Sequence, residues 1–443
     1  MTGQPRPSES SQEVRSLPAA YYDGKLSSAA KARQPSPIWA LFSSETNPGM
    51  LSMLAGKPHP DTFPFEYMNL GIDEEYLHAA LQYGLTSGYP ELNDWVTKLA
   101  EIVHSRNASE GWRVSIGPGS QDLLYKAFNA LLNPGDTIIV EGPTYAGATP
   151  ILGALSCNFV TVNVDEDGIR SSDLEKVLEN WDPSKPKPKA VYTIPFGSNP
   201  AGVTASYERR VELLGLAKKY DFLILEDDPY YFIYYGDKPK PPSYFSLENE
   251  VLGEVGRVLR FDSFSKVMAA GFRLGWLTGP APILDKIEAH SMTNVVQASS
   301  LSQIVAIKLL KEWGIDGFLT HAQHTTAFYK RRRDVMQTCL TKHLRGLAEW
   351  TVPEAAMFFW LKLKLPGTVD LQNVEIDGDS TTFIRDKAIG RGVLVLPGAT
   401  SYVDGRQTAY VRLSFSVLSD EATEEAIGRL ATVLKEEIAQ STL

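Results

Sequence analysis

A chain of 443 residues with 43% hydrophobic, 10% aromatic and 22% charged residues has the composition of a folded globular protein, long enough for two domains, and not that of a disordered or coiled-coil one. Its 43 Lys and Arg against 53 Asp and Glu leave a net charge of -10, which disfavours a nucleic-acid backbone as partner. Cys157 and Cys339 are too few for a disulfide framework or a cysteine metal site, and no run of eighteen apolar residues offers a membrane span.

Residues 1–28, opening MTGQPRPSESSQEVRS, are polar and read as a flexible tail. They lack the apolar core of a signal peptide, so a reducing, cytoplasmic setting is expected. From Trp112 onward the pattern alternates. Short β-rich runs at 114–116, 137–140, 159–162, 190–194 and 222–225 are separated by amphipathic stretches of helical length, which predicts βαβ units on a mostly parallel sheet. Runs at 258–261 and 274–278 bring the expected total to seven strands, and between these two lies only the loop 262–272. Loops at strand ends of such sheets are where ligands bind. A helical region follows over about 282–345. Its basic run Lys330-Arg331-Arg332-Arg333 reads as a solvated helix face, since no aromatic interleaving accompanies it. Short strands at 357–363, 393–395 and 410–415 and a last helix over about 420–439 predict a smaller α+β domain.

Four stretches carry groups suited to one ligand. GPGSQDLLYKAF (117–128) follows a strand and opens a helix, so its backbone N–H groups, with Ser120 as cap and Gln121 beside it, make a seat for an anion; alone it fits a plain capped helix as well. LEDDPYY (225–231) ends an apolar strand on Asp227 and Asp228, and a buried carboxylate there needs a positive partner. YTIPFGSNPAG (192–202) ends a strand with Asn199 before a proline. FDSFSKVMAAGFRLGW (261–276) supplies Ser263, Ser265, Lys266 and Arg273. A phosphate seat, a carboxylate, a turn asparagine and a serine-flanked lysine are the set that pyridoxal 5'-phosphate requires. The amine condenses with its aldehyde as a Schiff base, the carboxylate keeps its ring nitrogen protonated, and hydroxyls with an arginine take its phosphate.

YTIPFGSNPAG, LEDDPYY and SFSKVMAAGFRLGW, in that order and spacing, resemble the fold-type I pyridoxal-phosphate-dependent aminotransferases of the aromatic and 2-aminoadipate (kynurenine-type) branch, from about Ala29 to near the C-terminus. The resemblance implies an α/β fold: a large domain (69–320) with a mostly parallel seven-stranded sheet, a smaller α+β domain (321–443), and a segment 29–68 that serves the substrate site and the small domain. Carried over by position, Lys266 is the Schiff-base lysine and proton shuttle, Asp227 the partner of the ring nitrogen and Tyr145 the ring stacked on the cofactor. Asn199 and Tyr230 hold its 3'-oxygen, and Ser120, Gln121, Ser263, Ser265 and Arg273 its phosphate. Tyr83 matches a tyrosine that reaches the phosphate of a neighbouring subunit, which implies a homodimer with shared sites. Arg412, with Gly56 and Asn199, would take the substrate α-carboxylate, an arginine that otherwise reads as a strand residue on a solvated face. No metal is called for.

Two positions depart from the family pattern. Ala270 replaces a usual proline in AAGFR. Trp39 stands where relatives acting on acidic side chains have arginine, and with Phe358 and Phe359 it offers an aromatic surface to the substrate. The expected reaction is transfer of the amino group of tryptophan, phenylalanine or tyrosine to an aromatic or acidic 2-oxoacid by a ping-pong mechanism. Alternatives are 2-aminoadipate transamination and C–S β-elimination from a cysteine S-conjugate, which needs the same electron sink. A ligand-sensing regulator on this fold would need a basic N-terminal helix-turn-helix region, which the polar N-terminus does not supply.

Overall fold

The computed structural model describes residues 25–27, 30–31, 38, 41–65, 71–369 and 375–441. Trp39 and most of the expected tail lie outside these residues. The large sheet is built from β1 (Trp112–Gly117), β2 (Thr137–Gly142), β3 (Asn158–Asp165), β4 (Gly168–Ile169), β5 (Pro188–Thr193), β6 (Leu223–Asp227), β7 (Val258–Ser263) and β8 (Gly275–Pro280). Their order across the sheet is β1-β8-β7-β6-β5-β2-β3-β4. Pairings from β7 through β6, β5 and β2 to β3 are parallel, while β8 runs antiparallel to both its neighbours. Central strands of a parallel sheet are covered on both faces, and β2, β5 and β7 are accordingly buried almost throughout, Glu141, Arg260 and Asp262 included. Crossover helices cover them. In the one from Tyr207 to Tyr220, the Ser206 side chain accepts from the Arg209 amide at 3.3 Å, and Asp221 ends it in the left-handed region.

All seven expected strands are present among the described residues, and the count corrects to eight. The addition, β4, is a two-residue antiparallel return from β3 through the turn at Glu166 and Asp167, too short to show any alternation. A second, antiparallel sheet joins β9 (Ala348–Trp350), β10 (Phe358–Leu363), β11 (Leu396–Pro397) and β12 (Tyr410–Ser414) in the order β9-β10-β12-β11. The single strand expected at 393–395 is instead two. Val393–Leu394 pairs in parallel with Leu51–Ser52, and Leu396–Pro397 pairs with β12. That first pairing anchors the N-terminal segment, and Gly56 further along it lies against Phe358 of β10.

The helix Ser300–Leu344 leaves helical geometry at Gly314 (φ 64°, ψ -177°), a conformation glycine reaches without penalty. It packs against the C-terminal helix Asp420–Ser441. The run 330–333 lies on it, but only in part as a solvated face: Arg332 is buried and donates to the carbonyls of Phe415 and Leu418, while Arg331 pairs with Asp420 at 2.7 Å. Orphan carbonyls after β12 recruit the guanidinium. No helix among the described residues is long and apolar enough to cross a membrane.

Candidate active site

The C-terminal ends of the parallel strands β2, β5, β6 and β7 point the same way, and the chain leaving each contributes to one cavity of about 750 Å³. After β2 comes Tyr145, and after β5 come Ile194 and Asn199. Strand β6 ends on Asp227 with Tyr230 beyond it. Strand β7 ends on Ser263, and its loop carries Ser265, Lys266 and Arg273. The second sheet adds Phe358 and Arg412, and the N-terminal segment adds Gly56. Every site residue expected from the sequence lines this cavity except Phe359, which turns away from it, and two more. Tyr83 stands outside it, 80% exposed, and Trp39 is not among the described residues.

At one end sits the helix Ser120–Leu131. Ser120 does not cap it: Gly119 occupies the cap position, and no side chain accepts from the first turn. The correction strengthens the anion seat, because the first amides keep their donors. Gly119 is favoured by φ +96°, and a Cβ there would also push the Arg273 guanidinium, 2.6 Å away, out of its place. A Cβ on Gly275 would likewise meet the Ser120 amide at 2.7 Å. Arg273 itself adopts φ +51° and is held by the Ala270 carbonyl at 3.3 Å, so alanine in place of proline leaves this turn formed. Ser263 Oγ accepts from the Ser265 amide at 3.1 Å, and Gln121 Nε2 donates to the Gly147 carbonyl at 2.7 Å.

Lys266 Nζ donates to the Gly56 carbonyl at 3.0 Å. Burial, then the nearby Arg273 and Arg412 charges, lower this amine to about 8, so its neutral, nucleophilic form is accessible near neutral pH. Asp227 is 3% exposed. Its Oδ2 accepts from the Tyr192 hydroxyl at 2.7 Å, whereas Oδ1 has no partner and no cation lies within ion-pair distance among the described residues. Burial raises it to about 7; Tyr192 opposes that shift, and Asp228 and Asp262 add to it. Strand alternation sends Asp228 the other way, onto Arg260 at 2.8 Å.

Arg412 is 2% exposed, and burial lowers it to about 10. It donates to Asn199 Oδ1 at 2.6 Å and to the Leu54 carbonyl, and its guanidinium carbon lies 4.3 Å from the centroid of the Phe358 ring. Register explains that contact: Phe358 faces Ser414 and Trp360 faces Arg412 across β10 and β12, so Phe358 and Arg412 are diagonal neighbours on one side. Phe359 therefore turns away from the site and packs on Phe415 at 5.7 Å, correcting the expectation that both phenylalanines face the substrate. Tyr230 meets the edge of Phe358 at 5.9 Å. Lining residues that the sequence reading missed are Ile38, Pro150 and Ile151, apolar side chains with no motif around them, while Tyr192 was quoted only as the start of YTIPFGSNPAG.

This constellation fits pyridoxal 5'-phosphate. A buried carboxylate oxygen without a partner suits a protonated ring nitrogen, the uncapped helix start with Arg273 and four hydroxyl or amide side chains suits a phosphate dianion, and a lysine of lowered pKa suits the aldehyde. When bound, that cofactor supplies an electron sink for charge developing at the substrate Cα.

Comparison with known proteins agrees. The profile of aminotransferase class I and II matches residues 68–430, and the chain belongs to that family. It is 39% identical to the aminotransferase tdiD of Emericella nidulans over 419 residues (92% of this chain, 94% of the relative). It is 38% identical to the mitochondrial kynurenine/alpha-aminoadipate aminotransferase of Mus musculus, covering 94% of this chain and all of the relative. Among solved structures, the kynurenine aminotransferase of Pyrococcus horikoshii, in complex with PMP, superposes with a TM-score of 0.85 at 32% identity, covering 95% of this chain and 100% of that one. The protein is thus a fold-type I, pyridoxal-phosphate-dependent aminotransferase of the kynurenine and aromatic branch.

Proposed function

We propose that the amino donor is an aromatic L-amino acid. One observation carries this. Among the described lining residues the cations are Lys266, Arg273 and Arg412, and each has work of its own in the assignment: the cofactor aldehyde, the phosphate and the substrate α-carboxylate. None is left for the second carboxylate of a dicarboxylic donor, whose burial unpaired costs several kcal/mol. The remaining wall, with Ile38, Pro150, Ile151, Tyr230 and Phe358, offers apolar and aromatic surface instead. The mouse relative's name carries both an aromatic and a dicarboxylic donor, so likeness alone does not choose.

In this reading Asp227 pairs with the ring nitrogen, Tyr145 stacks on the ring, Asn199 and Tyr230 hold its 3'-oxygen, and Ser120, Gln121, Ser263, Ser265 and Arg273 hold its phosphate. The Lys266 amine moves the proton on and off the substrate Cα. Arg412, steadied by Asn199 and flanked by Gly56, orients the donor by its carboxylate. Comparing kcat/KM for phenylalanine and 2-aminoadipate tests the donor: at least tenfold preference for phenylalanine is expected, and a preference for 2-aminoadipate would overturn it. Pyruvate and ammonia released from a cysteine S-conjugate, without transamination of either donor, would favour the elimination chemistry.

The working form is read as a homodimer. Leu81, Tyr83, Leu85 and Met292 are 60–80% exposed on segments tied together by the Gly84 amide to Gln297 and by Ser300 Oγ to the Gln82 carbonyl at 2.9 Å. Such a patch suits burial against a second copy, with Tyr83 reaching its site. Sedimentation of the protein at twice the chain mass of 48.9 kDa is the expected result. Free, buried Cys157 and Cys339 suit a reducing compartment, and the cytoplasm is the proposed one.

A further inference from the structure

We infer that Tyr192 is a positioning residue for the reaction: its hydroxyl engages Asp227 Oδ2 and so favours the ionised carboxylate, with Oδ1 kept for the cofactor ring nitrogen, an inference that rests on the assignment of Asp227 above. Tyr192 lies on β5 opposite Leu225 of β6, and Asp227 is two residues further along β6 on the same side. The phenol reaches it at 2.7 Å and is the one hydrogen-bond donor to Asp227 among the described residues. The Tyr192 ring is fully buried, gripped edge-on by Phe128 at 5.7 Å, and does not line the cavity. Its one polar atom therefore serves Asp227 and not the substrate.

The surroundings explain why such a donor matters. Asp228 and Asp262 repel a charge on Asp227, and Arg260, which attracts it, is already committed to both of them. Glu141, which accepts from Thr193 Oγ1 at 2.5 Å, is itself raised by burial to about 8 and offers no counter-charge, and the neutral phenols of Tyr145 and Tyr230 stand on the cavity side. A carboxyl left protonated would donate a hydrogen bond where an acceptor is needed. Donation from Tyr192 favours the ionised form.

Tyr192→Phe removes the hydroxyl and keeps the ring against Phe128. The dissociation constant of pyridoxal 5'-phosphate is to be measured against pH, by equilibrium dialysis, in wild type, Tyr192→Phe, Asp227→Asn and the double variant. Loss of a hydrogen bond to a charged group predicts binding weakened about tenfold to a hundredfold in Tyr192→Phe. The pH at which affinity rises should also move upward, because the ionised carboxylate becomes harder to form. In the Asp227→Asn background the same substitution should cost little further. Inorganic phosphate, which meets only the Ser120 and Arg273 end, should bind wild type and Tyr192→Phe alike. An unchanged constant and pH profile in Tyr192→Phe, an equal loss in both backgrounds, or an equal loss of phosphate affinity would each overturn the role of Tyr192. Should Asp227→Asn itself bind the cofactor as wild type does, the assignment of Asp227 fails instead.

Discussion

Asp227 and Asp228 are adjacent in sequence, equally buried, and belong to opposite kinds of region. With Asp227 stand three charged groups, Lys266, Arg273 and Arg412, none of the four with an ion-pair partner among the described residues, all on the wall of one cavity. Around Asp228, on the other side of the same strand ends, Arg260 gathers Asp228 at 2.8 Å, Asp262 at 2.7 Å and Glu226 at 3.3 Å. Burial alone would lower Arg260, but Asp262, Asp228 and Glu226 together raise it well above its ordinary value. The two aspartates themselves are alike in type and burial. What separates a site from a structural cluster is whether the protein supplies the counter-charge or leaves it to a ligand.

The largest effect should come from the cavity side. Lys266→Ala is expected to lose at least a hundredfold to ten-thousandfold in turnover, the contribution of positioned proton transfer alone, along with the visible absorption of bound cofactor. Its thermal midpoint should hardly fall, since the substitution relieves burial of an unpaired amine. Stopped-flow spectra and a melting curve on the same sample check both halves. Arg412→Leu should follow, with kcat/KM lower by about thirtyfold to several-thousandfold, the 2 to 5 kcal/mol of a truncated, buried carboxylate partner, while cofactor binding stays intact.

Across the strands the pattern should invert. Arg260→Met leaves Asp228 and Asp262 buried without their ion-pair partner and Glu226 with only Arg210, at 3.9 Å, and should cost about 3 to 5 kcal/mol of stability, read as a lower urea midpoint, with turnover per folded molecule much less changed. The smallest effect is one of pH. Asp227 holds a proton up to about 7 in the folded, cofactor-free protein, against 3.8 ordinarily, so the folded state binds more protons than the unfolded one in that window. Stability must then fall as pH rises from about 4 to about 7, by a few kcal/mol at most. Other buried carboxyls share this slope, and the part belonging to Asp227 is what Asp227→Asn should remove from urea midpoints taken at pH 5 and pH 8.

How much of this was legible in the sequence follows from the same physics. Strands of a largely buried sheet announce themselves as β-rich runs, parallel and antiparallel alike, so seven were readable, whereas the two-residue return Gly168–Ile169 has no periodicity to read. In VLVLP (393–397) every residue is buried, so nothing marks the point where the chain leaves one sheet for another. Motif strings placed Lys266, Asp227 and Asn199 because catalysis constrains neighbouring residues together. Phe359 was misdirected because the face a strand presents depends on its register with β12, which is not written locally. Tyr192 escaped notice for a related reason: its partner is 35 residues away, and only sheet order brings the two together. Ser120 read as a cap because serine usually is one, and the turn through Gly119 decided otherwise.

The most direct test sets the two aspartates side by side. Asp227→Asn and Asp228→Asn each remove one charge, one residue apart, and each is to be assayed for turnover with phenylalanine, cofactor binding and urea midpoint. Asp227→Asn should lose several orders of magnitude in turnover and bind the cofactor more weakly at little cost in stability, while Asp228→Asn should lose mainly stability and keep most of its turnover per folded molecule. The reverse ranking, or equal losses of turnover in both, would contradict the division of these strand ends into a cofactor site and a structural cluster.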